Sequence, residues 1–363
     1  MTYYIIGYAI TIFFCIASQK VKRSIYKTVF RILSGLPFML IAGLRGASVG
    51  IDTNLNYIPM YNIAVNYGAN IDFFEFYSVK YTFGFTAIIY VLSRFFWQPS
   101  FLFLFCSIII IGFTFYTIYS ESQIPWLGIT VFFLSGDFVL TMNGMRGYIA
   151  IALILYSLRF VKSRQLIKFM FFVFLAGSIH GATLMFVVLY PIYNIRVKKI
   201  HVMAGFLAMP FLMLFGSHAL SIILKNTSFI NYFDASSVEI NPLYTMLAIN
   251  TLIFGFFYLN YKYYRDDMEY NLYLKLQLLS VTVCSFSFVL THAFRLEQLV
   301  DYFQIISIPY NLSLFWNIKT KAVANKRCVL LMIVAIFSLY FIKVFILADD
   351  NQVRDYLTIF AGR

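Results

Sequence analysis

The chain has 363 residues, of which 61% are hydrophobic, 20% aromatic and only 12% charged, with a net charge of +13 and a mean hydropathy of +0.80. A soluble domain carries about 25% charged residues, so half of the polar surface it would need is missing and a soluble catalytic domain is excluded. No GxxxxGK[ST] loop is present, which excludes a P-loop nucleotide engine within this chain.

The composition therefore reads as an all-α integral membrane protein. Apolar runs suited to helices lie near residues 3–19, 28–44, 81–97, 100–119, 126–142, 147–161, 167–193, 201–224, 243–261, 272–291, 298–316 and 328–347. A span takes ~20 apolar residues, so these runs predict a polytopic bundle of about 10–12 transmembrane helices. No linker or low-complexity stretch divides residues 1–363, which read as a single membrane domain. The first run has no basic residue before it and no small-x-small pattern after it, so it reads as a retained span. Cys15, Cys106, Cys284 and Cys328 show no CxxC or Cys/His spacing, so neither a disulfide nor a metal site is expected.

The basic excess sits mainly in short connections, as the positive-inside bias requires, and gives no reason to invoke nucleic acid. Lys20, Lys22, Arg23, Lys27 and Arg31 follow the first run, and Lys319, Lys321, Lys326 and Arg327 precede the last, with no acid in either segment. Both segments are expected on the cytoplasmic side. Residues 45–80 carry Asp52, Asp72 and Glu75 against Arg45 and Lys80, and form the expected outer-face, periplasmic loop. The segment 225–241, with Asp234 and Glu239 against Lys225, joins it there.

The middle of the chain admits two topologies. Twelve simple crossings would put Lys162, Arg164 and Lys168 outside, against the bias, and Arg146 opposite Arg45. If instead 167–193, broken at Gly177, Ser178, His180 and Gly181, and 126–145, broken at Ser135, Gly136 and Asp137, are re-entrant half-helices, the two arginines share a face. Irregular backbone at that depth is tolerated only where it is buried in protein or lines a wet cavity, so the second topology itself predicts a site.

Four constellations carry polar chemistry in this apolar background. Arg45-Gly-Ala-Ser-Val-Gly-Ile-Asp52-Thr, followed by Tyr57 and Tyr61, suits either a tight turn beside a fixed guanidinium or an arginine that snorkels at the interface. Arg146, within Asn143-Gly-Met-Arg-Gly-Tyr148, reads equally as a loop arginine or an anion ligand. His180 is either a satisfied core histidine or part of a broken helix whose end attracts anions. Around Thr291-His-Ala-Phe-Arg295, helical spacing puts His292, Arg295, Leu299 and Tyr302 on one face, and Glu297, Asp301 and Gln304 on another. Together these groups suit stabilisation of a diphosphate leaving group plus a base for a hydroxyl nucleophile, with no enzyme-bound cofactor. They also suit moving an anion.

At these residues the sequence resembles the EpsG/Wzy group of bacterial polysaccharide polymerases. Arg45 to Thr53 is similar to that family's R-x-x-x-V-G-x-D-[TY] segment. Met145-Arg146 opens a run as in the family, with Gly147 where Gln is usual. Ile179-His180-Gly-Ala-Thr-Leu184 resembles its Phe-His-x-[ST]-[AS]-[LI] stretch. Arg295, Tyr302-Phe303 and Ile308-Pro309 resemble its late R-x(6,7)-Y-F and [LI]-P elements. The resemblance implies a GT-C-like, metal-independent, inverting glycosyltransferase at the outer face of the bacterial inner membrane. Its substrates would be undecaprenyl-diphosphate-linked oligosaccharides and its product O-antigen or exopolysaccharide, with a chain-length-regulating co-polymerase as partner. By the same resemblance Arg45, Arg146 and Arg295 would hold the diphosphate, Asp52 or His180 would act as base, Tyr57 and Tyr61 would stack on sugar, and Tyr302 would line the substrate site. A lipid-linked oligosaccharide flippase and an O-antigen ligase are the alternatives. The first should spread charge over many helices, and the second should carry its longest outer loop late in the chain.

Overall fold

The computed structural model describes residues 1–67, 72, 75, 77, 82–207, 209–211, 243–288, 293–318, 323–349 and 352–360. Lys80, the segment 225–241, His292, Lys319 and Lys321 lie outside the described residues. Regular structure among the described residues is helical, apart from an isolated antiparallel bridge between Arg45 and Thr358.

In chain order the helices are α1 (Thr2–Lys20), α2 (Ser24–Gly43), α3 (Ile58–Tyr67), α4 (Phe83–Phe95), α5 (Ser100–Glu121), α6 (Pro125–Leu134), α7 (Asp137–Leu140), α8 (Met145–Lys162), α9 (Leu166–Ile179), α10 (Leu189–Ile192), α11 (Tyr244–Tyr264), α12 (Met268–Ser285), α13 (Ala293–Asp301), α14 (Gln304–Asn317) and α15 (Val323–Phe341). A π-helical turn, Thr53–Tyr57, leads into α3, and another, Ile342–Ala348, prolongs α15. The chain divides into two compact units: Met1–Val187 with Lys319–Arg363, and Val188–Ile318.

Among the described residues four helices are long and apolar enough to cross a membrane: Thr2–Lys20, Ser24–Gly43, Ser100–Glu121 and Asn325–Ala348. The others fall short of the sequence expectation for two physical reasons. Several apolar runs are broken into pieces such as Phe83–Phe95, Pro125–Leu134 and Leu166–Ile179, and ~13 residues rise only ~20 Å against a hydrocarbon core of ~30 Å. In the second unit α11 and α12 are long but carry Asn250, Asn260, Asn271 and Gln277, all buried. Their polarity is turned inward, where neighbouring helices satisfy it.

The first unit has two chemically distinct ends. Towards one, the middle of α2 meets the last turn of α5: the Ser34 and Tyr119 hydroxyls hydrogen-bond at 2.6 Å and Arg31 lies 5.1 Å over the Tyr119 ring. The last turns of α5 and α8 are joined there by the Glu121–Lys162 ion pair. Lys20, Lys22, Arg23, Lys27 and Arg31 thus share an end with Lys162, Arg164 and Lys168. At the other end α2 meets the start of α5, where a Cβ on Gly43 would sit 2.9 Å from the Leu104 Cα. Only glycine allows the two backbones to approach so closely.

The expected re-entry of 126–145 is not how the chain makes this arrangement. Helices α6 and α7 lead from the basic end to the opposite one, with the break at Gly136 (φ +84) between them. The run that fails to pass between the ends is 81–97: Phe85 packs on Tyr57, and Phe96 stacks on Phe101 at 4.2 Å beside the first turn of α5. The expected loop 45–80 is also partly helical, through α3. Between the ends the core is aromatic. Phe38 stacks on Phe138 at 4.0 Å and lies 6.0 Å from the Phe133 and Phe115 ring centroids. Such pairs add about 0.5–1.5 kcal/mol each where apolar burial alone gives no preference over lipid.

Candidate functional site

At the end of the first unit away from the basic residues, the chain brings together segments nearly a hundred positions apart. Arg45 lies two residues beyond the end of α2 and is 1% exposed. Its guanidinium donates to the carbonyl of Ala42, to Thr53 Oγ1 at 3.3 Å, and to the Met142 carbonyl at 3.1 Å and Met145 Sδ at 3.2 Å. Its face is covered by Phe103, 4.2 Å away. Burial lowers its pKa to about 10, and the nearby Cys106 thiol and the phenols of Tyr57, Tyr4 and Tyr356 raise it. The group therefore keeps its charge at neutral pH.

The stretch from Gly46 to Thr53 turns tightly around this side chain. Gly50 has φ +87, and a Cβ there would lie 2.7 Å from Asn143 Oδ1. No L-residue fits both the backbone angle and the space. Asp52 is half-buried; its N–H is directed to Asn143 Oδ1 at 3.4 Å and its carboxylate accepts from Asn56 Nδ2 at 2.8 Å. Tyr57 donates to the Asn143 carbonyl at 2.8 Å, and Tyr61 to the Phe96 carbonyl at 2.8 Å. Both rings are buried, 4% and 0% exposed. In this structure they tie the turn to α4 and the 142–145 segment and do not present the free face expected for sugar stacking.

Arg146 stands in the first turn of α8, half-buried, with its guanidinium 5.9 Å from the Phe85 ring centroid. The positive end of the α8 dipole adds to its charge at this position. Beneath it Tyr148 donates to Asp137 Oδ1 at 3.0 Å, and Ser135 Oγ donates to Asp137 Oδ2 at 2.7 Å. His180 caps α9: its N–H bonds the Ala176 carbonyl at 2.8 Å and its own carbonyl accepts from the Thr183 N–H and hydroxyl. The start of α4 joins His180 to the rest of the site. Thr82 Oγ1 donates to the Ile179 carbonyl at 2.6 Å, and one turn on, Phe85 meets Tyr57 and Arg146. Arg45, Asp52, Tyr57, Arg146 and His180 therefore occupy the same end of one unit.

Arg295 and Tyr302 belong to the second unit. Arg295 is exposed, over the ring of Phe294 at 5.6 Å, whereas Tyr302 is fully buried. Beside them lies a polar core that sequence reasoning caught only in part. Asn250 donates to Asp301 Oδ2 at 2.7 Å, its own Oδ1 accepts from Gln304 at 2.6 Å, and its carbonyl accepts from Gln277 at 3.1 Å. Ser280 also donates to Asp301, and Glu297 shares a hydrogen bond with it. Asp301 and Gln304 were visible as a polar face. Asn250 and Gln277 were not, although an amide inside an apolar helix is itself a signal. Asn143 was visible as part of the Arg146 constellation and Asp137 as part of a helix break, but not the hydrogen bonds that each makes. Among the described residues no three His, Cys, Asp or Glu side chains gather as a metal site.

The EpsG family model matches residues 27–358. No curated protein and no solved structure matches the chain.

Proposed function

The chain belongs to the EpsG family, the family of Wzy-like polysaccharide polymerases, and from that premise we propose that it joins lipid-diphosphate-linked oligosaccharide repeats into a surface polysaccharide. The donor is a growing chain on undecaprenyl diphosphate and the acceptor is the sugar of an incoming lipid-linked repeat. The reaction takes place at the outer face of the bacterial inner membrane, in a multi-pass, GT-C-like protein, with inversion at the donor anomeric carbon. A co-polymerase sets the chain length.

The observation that carries this reading is the meeting of the Arg45–Tyr57 segment with the Met142–Arg146 turn at the end of the first unit opposite its basic residues. Cationic residues at the basic end suit the cytoplasm, so the end with Arg146 suits the outer face. In the transfer, an acceptor hydroxyl oxygen bonds to the donor anomeric carbon as the bond from that carbon to the phosphate oxygen breaks. The diphosphate leaves with the electron pair, and the hydroxyl proton passes to Asp52 or His180. Arg146 and the positive end of α8 stabilise the departing charge, which a guanidinium does bidentately.

Arg45 takes a different part from the one the resemblance implied. Four of its five N–H groups are used by protein acceptors, so it shapes the turns that carry Asp52 and Arg146. Tyr57 and Tyr61 serve as ties in the same frame. Arg295, exposed in the second unit, has the chemistry of a phosphate ligand.

Deleting the gene in its native strain and separating extracted surface glycolipid on a gel tests the proposal. Collapse of the ladder to species with at most one repeat is the expected result. Loss of single repeats as well would favour a flippase or ligase. An unchanged ladder together with unchanged exopolysaccharide would refute it.

A further inference from the structure

The last apolar run of the sequence ends near residue 347, yet the chain beyond it returns to the candidate site. Asp349 makes the turn: its Oδ1 accepts the N–H groups of Val353 and Arg354, each at 3.0 Å. Residues 352–359 then lie along the Arg45 turn. Gly50 N–H donates to the Gln352 carbonyl at 3.0 Å, Gly46 N–H to the Leu357 carbonyl at 2.7 Å, and Ile359 N–H to the Leu44 carbonyl at 3.0 Å. Two side chains fasten the segment from either side: Tyr356 OH donates to the Ile41 carbonyl at 2.9 Å, and Tyr4 OH to the Val353 carbonyl at 2.9 Å.

We propose that residues 352–359 are a working part of the site, a strap that fixes the Leu44–Thr53 turn and so positions Asp52 for the transfer. The inference rests on the polymerase reading given above. Its physical basis is where the turn finds its hydrogen bonds. The Arg45 side chain braces the turn from within, through Thr53 and Met142. The buried amides of Gly46 and Gly50 are paired by the strap, and a buried N–H without a partner is rarely tolerated. Ala47 and Ser48 are exposed and Val49 is the turn's buried apolar anchor, so the backbone on either side of Val49 takes its register from the strap. The strap itself buries Val353 and Tyr356 while Gln352, Arg354, Asp355 and Leu357 stay exposed. It is held by these hydrogen bonds together with Val353 and the Tyr356 ring, which packs on Tyr3 and Tyr4 at 5.3 and 5.4 Å, a short element of few contacts that can open locally without unfolding its unit.

The test uses the full-length protein in nanodiscs and, as substrate, the lipid-linked repeat extracted from a strain deleted for this gene. Ile359→Pro removes one donor of the strap, whereas Ile359→Val keeps it; Tyr356→Phe removes the second tie. The proline variant is expected to lose about 10–100-fold in kcat with KM nearly unchanged, the size of effect that misplacing a catalytic group produces. Its melting temperature stays near that of the wild type, and the valine variant behaves as wild type. Hydrogen exchange of the 44–53 amides is expected to rise at least ~10-fold in the proline variant, while exchange in α2 and α5 is unchanged.

Wild-type kcat in Ile359→Pro and Tyr356→Phe, alongside an impaired Arg146→Lys, would overturn the strap and leave the polymerase reading standing. So would a loss that merely follows the amount of folded protein. If even the wild type fails to extend the substrate, the polymerase reading falls, and unchanged exchange at 44–53 in the proline variant would overturn the strap independently.

Discussion

Replacing Arg45 by lysine separates a brace from a phosphate ligand. Lysine keeps the charge, and if Arg45 only met a diphosphate, the cost would appear in substrate affinity. The structure gives the guanidinium another task. Its planar fork reaches Ala42, Thr53, Met142 and Met145 at once, 1% exposed, against the face of Phe103. A single tetrahedral ammonium, whose one nitrogen takes the place of three, cannot meet acceptors spread around that plane. If one or two buried carbonyls lose a charged donor, at about 1–3 kcal/mol each, the variant is destabilised by about 3 kcal/mol. For a unit of this size that corresponds to roughly 5–10 °C in melting temperature. The assay is thermal unfolding of purified protein in nanodiscs, followed by size-exclusion, beside polymerisation kinetics with extracted lipid-linked repeat. The expected pattern is a lowered melting temperature with kcat reduced at least ~10-fold at saturating substrate. An unchanged melting temperature with only KM raised would refute the brace and return Arg45 to the substrate.

Arg146→Lys should behave in the opposite way, with melting unchanged and kcat/KM reduced about 100-fold, because bidentate contact to a leaving phosphate is lost while the frame remains. Gly50→Ala is expected to be destabilised by at least ~1–2 kcal/mol, since φ +87 disfavours L-residues and the new Cβ meets Asn143 Oδ1 at 2.7 Å; a wild-type melting curve would show that the turn is not held as described. At Gly136, φ +84 and the Phe345 ring standing where a Cβ would go predict that Gly136→Ala is partly rescued by Phe345→Ala. A double-mutant cycle should leave only the backbone strain of about 1–2 kcal/mol. In the second unit Asn250→Leu strips partners from Asp301, Gln304 and Gln277 together. A loss of about 2–4 kcal/mol is expected, read as faster hydrogen exchange in α11 to α14.

Composition alone determined that the chain enters a membrane: 61% hydrophobic and 12% charged residues leave too little polar surface for water. The helical character, the breaks at Ser135–Asp137 and at His180, and the family resemblance at Arg45, Arg146, His180 and Arg295 were legible for the same reason. Gly, His and charged residues stand out against an apolar background, where each must have a reason. Which residues meet was not legible. Periodicity and charge bias act within a segment or between a segment and the bilayer, and neither reports how separate segments pack. So counting runs as crossings failed at 81–97, which is apolar like its neighbours but has both of its ends packed at the Arg45 end of its unit, through Phe85 on Tyr57 and Phe96 on Phe101. Arg45, the one buried arginine among the described residues, reads as a ligand because sequence shows its charge and hides its acceptors, the carbonyls of Ala42 and Met142. The strap at 352–359 left no sequence signal, because the backbone hydrogen bonds that lay it along the turn can be made by almost any residue, and the tyrosines that fasten it, Tyr4 and Tyr356, are two among 28. Only the tertiary structure decided these points, since a hydrogen bond between positions three hundred residues apart depends on where the chain goes and not on what it is made of.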